Sequence, residues 1–125
     1  MIIGTGIDVV ELTRIRELIQ KWDDRFIKKV FTEHEIAYAS SKVDSTQHYA
    51  GRFAVKEAVA KALSTGWSSG FRWKDVEVTN DSSGKPSVQL YGNVKELLKN
   101  SKVFVSISHS ENVIVAMAII ETIEN

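Results

Sequence analysis

The chain has no cysteine and a single proline, and among its 125 residues sixteen basic side chains offset sixteen acidic ones. Without cysteine there is no disulfide, no thiolate metal site and no cysteine nucleophile, a composition that fits a reducing cytoplasm. Zero net charge leaves no global field to draw the chain to nucleic acid or to a membrane surface, so neither is expected as a partner. No apolar run approaches the roughly 20 residues of a membrane span. Met1-Ile2-Ile3-Gly4 has no basic region ahead of a cleavable apolar stretch, so no secretory signal is expected. The glycine signatures of P-loops and dinucleotide folds are absent, and so are the histidine spacings of zinc sites. What remains is ordinary globular composition, 43% hydrophobic and 26% charged. One soluble cytoplasmic domain spanning residues 1–125 is the expectation.

Against that background two acids stand out, because each sits where a charge is costly. Asp8 interrupts the strand-like run Ile7-Asp8-Val9-Val10, and Glu57 lies within Ala50–Leu63, a helical stretch apolar on most sides. A buried carboxylate needs a cation, a hydrogen-bond network or a shifted pKa. A strand over Ile2–Val10 places Gly4, Gly6 and Asp8 on one face and Ile3, Ile7 and Val9 on the other. The bare glycine face admits a ligand or another backbone close to Asp8. On the helix, Ala50, Phe53, Glu57 and Lys61 share a stripe, while Ala54, Ala58 and Ala62 let neighbours pack close. Glu57 and Lys61 read in two ways. One is a surface (i, i+4) pair worth a few tenths of a kcal/mol. The other, with Asp8, is a site for Mg²⁺ and phosphate, since that ion takes one or two protein carboxylates and fills its shell with water and substrate phosphate.

The rest of the chain predicts an α+β fold, a small mostly antiparallel sheet against one long central helix. Glu11 to about Val30 reads as a helix followed by a shorter one. Thr32-Glu33-His34-Glu35 has capping-box spacing and opens another, to about Lys42. Asp44, Ser45 and Thr46 are cap candidates for the long helix, and Gly66 for its stop. Strands over 75–79 and 87–91 flank the hairpin loop Asn80–Pro86, a short helix covers 92–100, and strands follow over 102–108 and 113–120. The last strand is apolar on both faces, which predicts cover on both, one of them supplied by another subunit. His109 closes the row Val103, Val105, Ile107, between Ser108 and Ser110, and reads either as a satisfied structural group or as a phosphate or ribose contact. His34 and His48 read as helix-surface residues. Gly84-Lys85-Pro86 is a turn whose glycine amide and lysine also suit an anion. Arg14, Leu18, Lys21, Arg25 and Lys29 form a basic stripe beside Trp22 and Phe26, either a solvated face or an interface.

Four stretches in register carry a resemblance over essentially the whole chain: Gly6–Glu11, Gly51–Ala58 with Lys61-Ala62-Leu63, Gly84-Lys85-Pro86, and Val105–Ser110. Together they resemble the small bacterial 4'-phosphopantetheinyl transferases, the holo-acyl-carrier-protein synthases. The resemblance implies that fold, and transfer of the phosphopantetheine arm of coenzyme A to a serine of apo acyl carrier protein, with release of 3',5'-ADP. It implies Mg²⁺ on Asp8 and Glu57, with Lys61 neutralising the diphosphate; these three are the expected catalytic residues. Arg52, Gly84, Lys85, Pro86, Ser108 and His109 are expected at the nucleotide end. Arg14, Leu18, Lys21, Arg25, Phe26 and Lys29 are expected to dock the acidic carrier protein, in a homotrimer with active sites between subunits. Ser108 and Ser110 stand where the family often has threonine, and Trp67 adds bulk to the loop 64–70, where it is expected to shape ligand access. Two other readings compete: a Mg²⁺-dependent phosphohydrolase of coenzyme A or nucleotides, and a non-catalytic module that binds acyl carrier protein.

Overall fold

The computed structural model describes residues 1–64 and 70–123; Gly66 and Trp67, read above as a helix stop and an access-shaping residue, lie outside the described residues. The element order is β1 (Ile2–Glu11), α1 (Leu12–Trp22), α2 (Asp24–Val30), α3 (Glu33–Ser40), α4 (Ser45–Ala62), a 3-10 turn (Trp73–Asp75), β2 (Val76–Asn80), β3 (Pro86–Leu90), α5 (Gly92–Leu97), β4 (Ser101–His109) and β5 (Val113–Thr122). Strands β1, β5 and β4 form one antiparallel sheet in that order, and β2 with β3 forms a separate antiparallel hairpin. The fold is α+β as expected.

Local chemistry accounts for the helix starts. Thr32 caps α3 by accepting the Glu35 N–H, while Glu35 Oε1 accepts the Thr32 N–H at 2.9 Å, the reciprocal capping box. Asp44 caps α4 by accepting the Gln47 N–H at 3.2 Å. Asp23 separates α1 from α2 with φ at +51°, a positive value uncommon outside glycine.

Helix α4 is the axis of the structure. It lies across the inner face of the three-stranded sheet, where Val10, Ile114, Ala116, Ala118 and Ile120 are buried against it. The two glycines of β1 make this approach possible: a Cβ on Gly4 would collide with the Ala62 carbonyl oxygen, and one on Gly6 with that of Ala58. The glycine face therefore serves a helix backbone, one of the two occupants its sequence allows. Opposite, the outer face of the same sheet is left largely uncovered by the described residues. Ile7 is 58%, Val9 57%, Phe104 52% and Met117 43% exposed.

Candidate active site

Close packing of β1 on α4 brings Asp8 to the lysine of the helix. Lys61 Nζ donates to Asp8 Oδ1 at 3.0 Å and to the Ile7 carbonyl at 3.0 Å. The lysine thus pairs across to the strand and not with Glu57 one turn before it, so the surface (i, i+4) pairing does not form. Asp8 is largely buried, and its second oxygen, Oδ2, is buried without a hydrogen-bond partner. Glu57 is half-buried and makes no side-chain hydrogen bond or ion pair to another described residue. Its pKa is raised, by burial first and then by the Asp8 charge, with Arg14 and Lys61 acting against both.

An orphaned buried oxygen beside a carboxylate that resists ionisation is a place where a cation removes two penalties at once. Among the described residues no cluster of three or more potential ligands exists. The protein donors are two carboxylate groups. That set suits a hard ion of the magnesium kind, which leaves positions for water and phosphate, better than the closed four-ligand shell of structural zinc.

A second group gathers on the other side of α4. Arg52 and Glu57 are five residues apart, which turns them by roughly 140° about the helix axis. Arg52, His48, Tyr38, Gly84, Pro86 and His109 line a cavity of about 220 Å³. Arg52 is 2% exposed; its guanidinium lies 4.1 Å over the Tyr38 ring and donates through Nη2 to Asn80 Oδ1 at 2.7 Å. Its Nε is buried without an acceptor. Gly84, with φ at +89°, turns the hairpin; its N–H donates to the Asp81 carbonyl at 2.9 Å and is therefore spent within the turn. The Lys85 N–H is likewise held by Asp81, and its side chain does not line the cavity. His109 continues the inner row of β4 with Ile107, whereas Ser108 points to the exposed outer face with Phe104 and Ser106. Of the six residues expected at a nucleotide, four converge within one chain; Lys85 and Ser108 stand outside the cavity.

The basic stripe runs over α1 and bends at Asp23 onto α2. Leu18, Trp22, Arg25, Phe26 and Lys29 line a shallow, mainly apolar cavity. Trp22 carries the Lys21 ammonium at 5.3 Å and the Arg25 guanidinium at 5.5 Å from its ring centre, which makes it the centre of the patch although it was not among the expected docking residues. Its position in the sequence, between two basic residues of the stripe, was the available signal. Arg14 lies 5.6 Å over the Phe53 ring, and its charge reaches Glu57. Packed aromatics support this face from below: Phe26 meets Phe31 edge-on and Phe53 at a tilt, and Phe53 stacks on Trp73 at 5.1 Å.

Sequence reading missed a buried ion pair beside the acidic centre. Lys56 and Glu35 are fully buried, with Nζ 2.9 Å from Oε1. The ammonium also donates to the Trp73 and Val76 carbonyls, and Glu35 Oε2 accepts the Val78 N–H at 2.9 Å. This network ties α3, α4 and β2 together one residue from Glu57. Its sequence signal is Lys56, which like Glu57 interrupts the apolar run Phe53–Ala60 of α4.

Comparison with known proteins places this architecture. Residues 4–118 match the family model of the 4'-phosphopantetheinyl transferase superfamily. A holo-acyl-carrier-protein synthase of Geobacter metallireducens is 47% identical over 98% of this chain and 100% of its own. Among solved structures, the holo-acyl-carrier-protein synthase of Neisseria meningitidis superposes with a TM-score of 0.91 at 30% identity, covering 98% of this chain and 100% of that one. A holo-acyl-carrier-protein synthase from Bacillus anthracis, in complex with CoA (3',5'-ADP), gives 0.83 at 37% identity over 98% of each chain. By sequence along nearly its whole length and by fold, the chain belongs to the 4'-phosphopantetheinyl transferase superfamily, among the holo-acyl-carrier-protein synthases.

Proposed function

We propose that this chain transfers the 4'-phosphopantetheine group of coenzyme A to a serine of apo acyl carrier protein, releasing 3',5'-ADP, with Mg²⁺ held by Asp8 and Glu57. The observation that carries the reading is the acidic centre. Asp8 Oδ2 is buried with no partner, Glu57 has none among the described residues, and Lys61 faces the same strand from one turn away. The ion, when bound, supplies charge stabilisation for a diphosphate.

In the reaction the carrier serine oxygen bonds to the phosphorus that bears pantetheine, and the bridging P–O bond of the diphosphate breaks. The electron pair leaves with 3',5'-ADP. Such a step asks the protein mainly for alignment and charge stabilisation. Lys61, more than half exposed, swings from Asp8 toward the phosphates and offsets their charge. The serine proton passes to a base at the acidic centre, a Glu57 oxygen that the ion leaves free or a water there. The nucleophile arrives on the partner, so the missing cysteine is no handicap. Arg52, Gly84, Pro86 and His109 hold the nucleotide end. The bent basic face, with Trp22 now included beside Arg14, Leu18, Lys21, Arg25, Phe26 and Lys29, receives the acidic carrier.

The uncovered outer face of the sheet supports the homotrimer that the resemblance implies. So does the separation of the two polar groups, since a ligand shared between neighbouring copies can use the carboxylates of one and the arginine pocket of the next. In that arrangement Ser108, on the outer face, comes to the interface. No helix among the described residues is long and apolar enough to cross a membrane.

The test is intact-mass spectrometry of apo acyl carrier protein incubated with coenzyme A, Mg²⁺ and this protein, with and without chelator. A gain of one phosphopantetheine that chelator abolishes is the expected result. Release of 3',5'-ADP with no change in carrier mass would indicate a phosphohydrolase. Carrier binding unaffected by Asp8→Ala and Glu57→Ala, with no transfer by the parent protein, would leave only the binding module.

A further inference from the structure

The cavity around Arg52 holds a group that neither the expected site nor the family resemblance assigns. His48 sits one helical turn before Arg52 on α4, half-buried, and lines the same cavity as Arg52 and His109. Tyr38 braces both α4 side chains. Its ring meets His48 edge-on at 5.5 Å and carries the Arg52 guanidinium at 4.1 Å. Neither nitrogen of the His48 ring makes a hydrogen bond to another described residue. Arg52 Nε is a buried donor without an acceptor in the same place. A histidine whose ring nitrogens have no described partner and a buried arginine therefore line one small cavity. Its volume of about 220 Å³ is below the roughly 300–1,000 Å³ of pockets that enclose a whole ligand, so it suits one end of one.

We propose that His48 is a further binding residue of this pocket, which contacts the phosphomonoester of the nucleotide as an imidazolium and makes its recognition pH-dependent. The inference rests on the reading of the Arg52 cavity as the nucleotide end. Coenzyme A carries two anionic parts, a diphosphate and a 3'-phosphomonoester. The carboxylate centre with Lys61 serves the first, and the arginine cavity is left for the second. At pH 7 a phosphomonoester bears about −1.5 to −2 charges, matching a guanidinium joined by an imidazolium.

Before the ligand arrives, the surroundings oppose that imidazolium. Burial lowers the His48 pKa first, followed by Arg52 on its own helix and Lys42 beyond the end of α3; His109 from β4 adds to them, and only Asp44 at the α4 N-cap acts the other way. His48 is then neutral near pH 7 in the free protein. A phosphate dianion reverses the balance, so binding takes up a proton between the free and the bound pKa. Affinity weakens as pH rises through that window.

Isothermal titration at pH 7, in buffers of different ionisation enthalpy, tests this with coenzyme A and with dephospho-coenzyme A, which differ only in the 3'-phosphate. Wild-type protein is expected to take up more protons with coenzyme A. His48→Gln is expected to weaken coenzyme A binding roughly tenfold relative to dephospho-coenzyme A and to erase the difference in proton uptake. Equal uptake of protons with the two ligands by the wild-type protein would overturn the inference without any variant. So would an equal loss of both ligands in His48→Gln. Arg52→Ala separates the two levels of the reading. If it collapses the preference for the 3'-phosphate and His48→Gln does not, the pocket stands and His48 falls. If Arg52→Ala also leaves the preference intact, the nucleotide assignment of the cavity fails and the inference goes with it.

Discussion

At Glu57, burial and the neighbouring Asp8 charge raise the pKa, and no described residue offers the side chain a hydrogen bond. A carboxyl group with a folded pKa above its unfolded one stabilises the fold only while protonated. That contribution is lost as pH rises through the folded pKa, so at neutral pH the ionised group weighs against folding. Glu57→Gln is therefore expected to leave the melting temperature at pH 7.5 unchanged or higher, while transfer drops by on the order of 100-fold or more. Mg²⁺ competes with the proton on Glu57, so its thermal stabilisation of the wild-type protein should grow with pH and be absent in the variant. Near-normal transfer by Glu57→Gln at saturating Mg²⁺ would remove Glu57 from the metal site. The exceptional character of Asp8 and Glu57 is legible in the sequence, because a charge inside an apolar pattern is visible without coordinates. Their partners are less so. Lys61 has Glu57 as its helical neighbour and chooses Asp8, a choice made by the glycine-permitted approach of β1 and not by spacing along α4.

At the level of elements, helix starts were legible where a side chain caps them, as Thr32 and Asp44 do, because capping is decided within four residues. The buried pair of Lys56 and Glu35 was not, because it depends on α3, α4 and β2 meeting, and Glu35 already has a sufficient local explanation in its capping box. His48 escaped for a similar reason: its helical position is exposed until Tyr38 and the β3 hairpin close around it. The network makes a strong prediction. Lys56→Ala leaves the Glu35 carboxylate buried without its cation, and removing one partner of such a pair costs roughly 3–5 kcal/mol. Lys56→Met combined with Glu35→Leu removes both charges and should recover much of that loss in urea unfolding at one fixed protein concentration. A double variant no more stable than Lys56→Ala would mean that the Trp73 and Val76 carbonyls, not the ion pair, are what Lys56 serves. The α1–α2 face makes a second one. Because Trp22 gathers Lys21 and Arg25, while Arg14 lies nearer to Glu57, Arg14→Glu with Arg25→Glu should raise the KM for carrier protein several-fold more than that for coenzyme A. Equal increases would place these arginines in nucleotide binding instead.

For the whole molecule the decisive surface is the sheet face that the described residues leave open. The sequence of β5 is apolar on both faces, and the structure divides those faces unequally. Ile114, Ala116, Ala118 and Ile120 are buried on α4, whereas Met117, beside Ile7, Val9 and Phe104, faces outward. Large apolar side chains contiguous on an open sheet mark an interaction surface. The central glycine-and-alanine contact of β1 with α4 leaves no internal route by which these residues can turn inward, because a one-residue slip would carry Asp8 and both glycines to the wrong face. Association of copies through this sheet, as proposed above, would also account for the carboxylate centre and the arginine cavity sitting on opposite sides of α4. If sites form between copies, separating the copies must cost activity even though no catalytic side chain is touched. Phe104→Glu with Met117→Glu places two charges on the outer face, leaves the inner face intact, and is expected to shift the sedimentation mass from trimer to monomer. The variant should keep its helical circular dichroism and lose transfer. Mixing monomeric variant that also carries Glu57→Gln with monomeric Arg52→Ala variant should restore none, because neither can assemble. On the unaltered interface, Glu57→Gln and Arg52→Ala subunits should complement each other on mixing, since a fraction of the shared sites then holds an intact Glu57 from one copy and an intact Arg52 from another. Full transfer by a monomer, or failure of those trimers to complement after subunit exchange, would place a complete active site within one chain and leave the apolar face to some other partner.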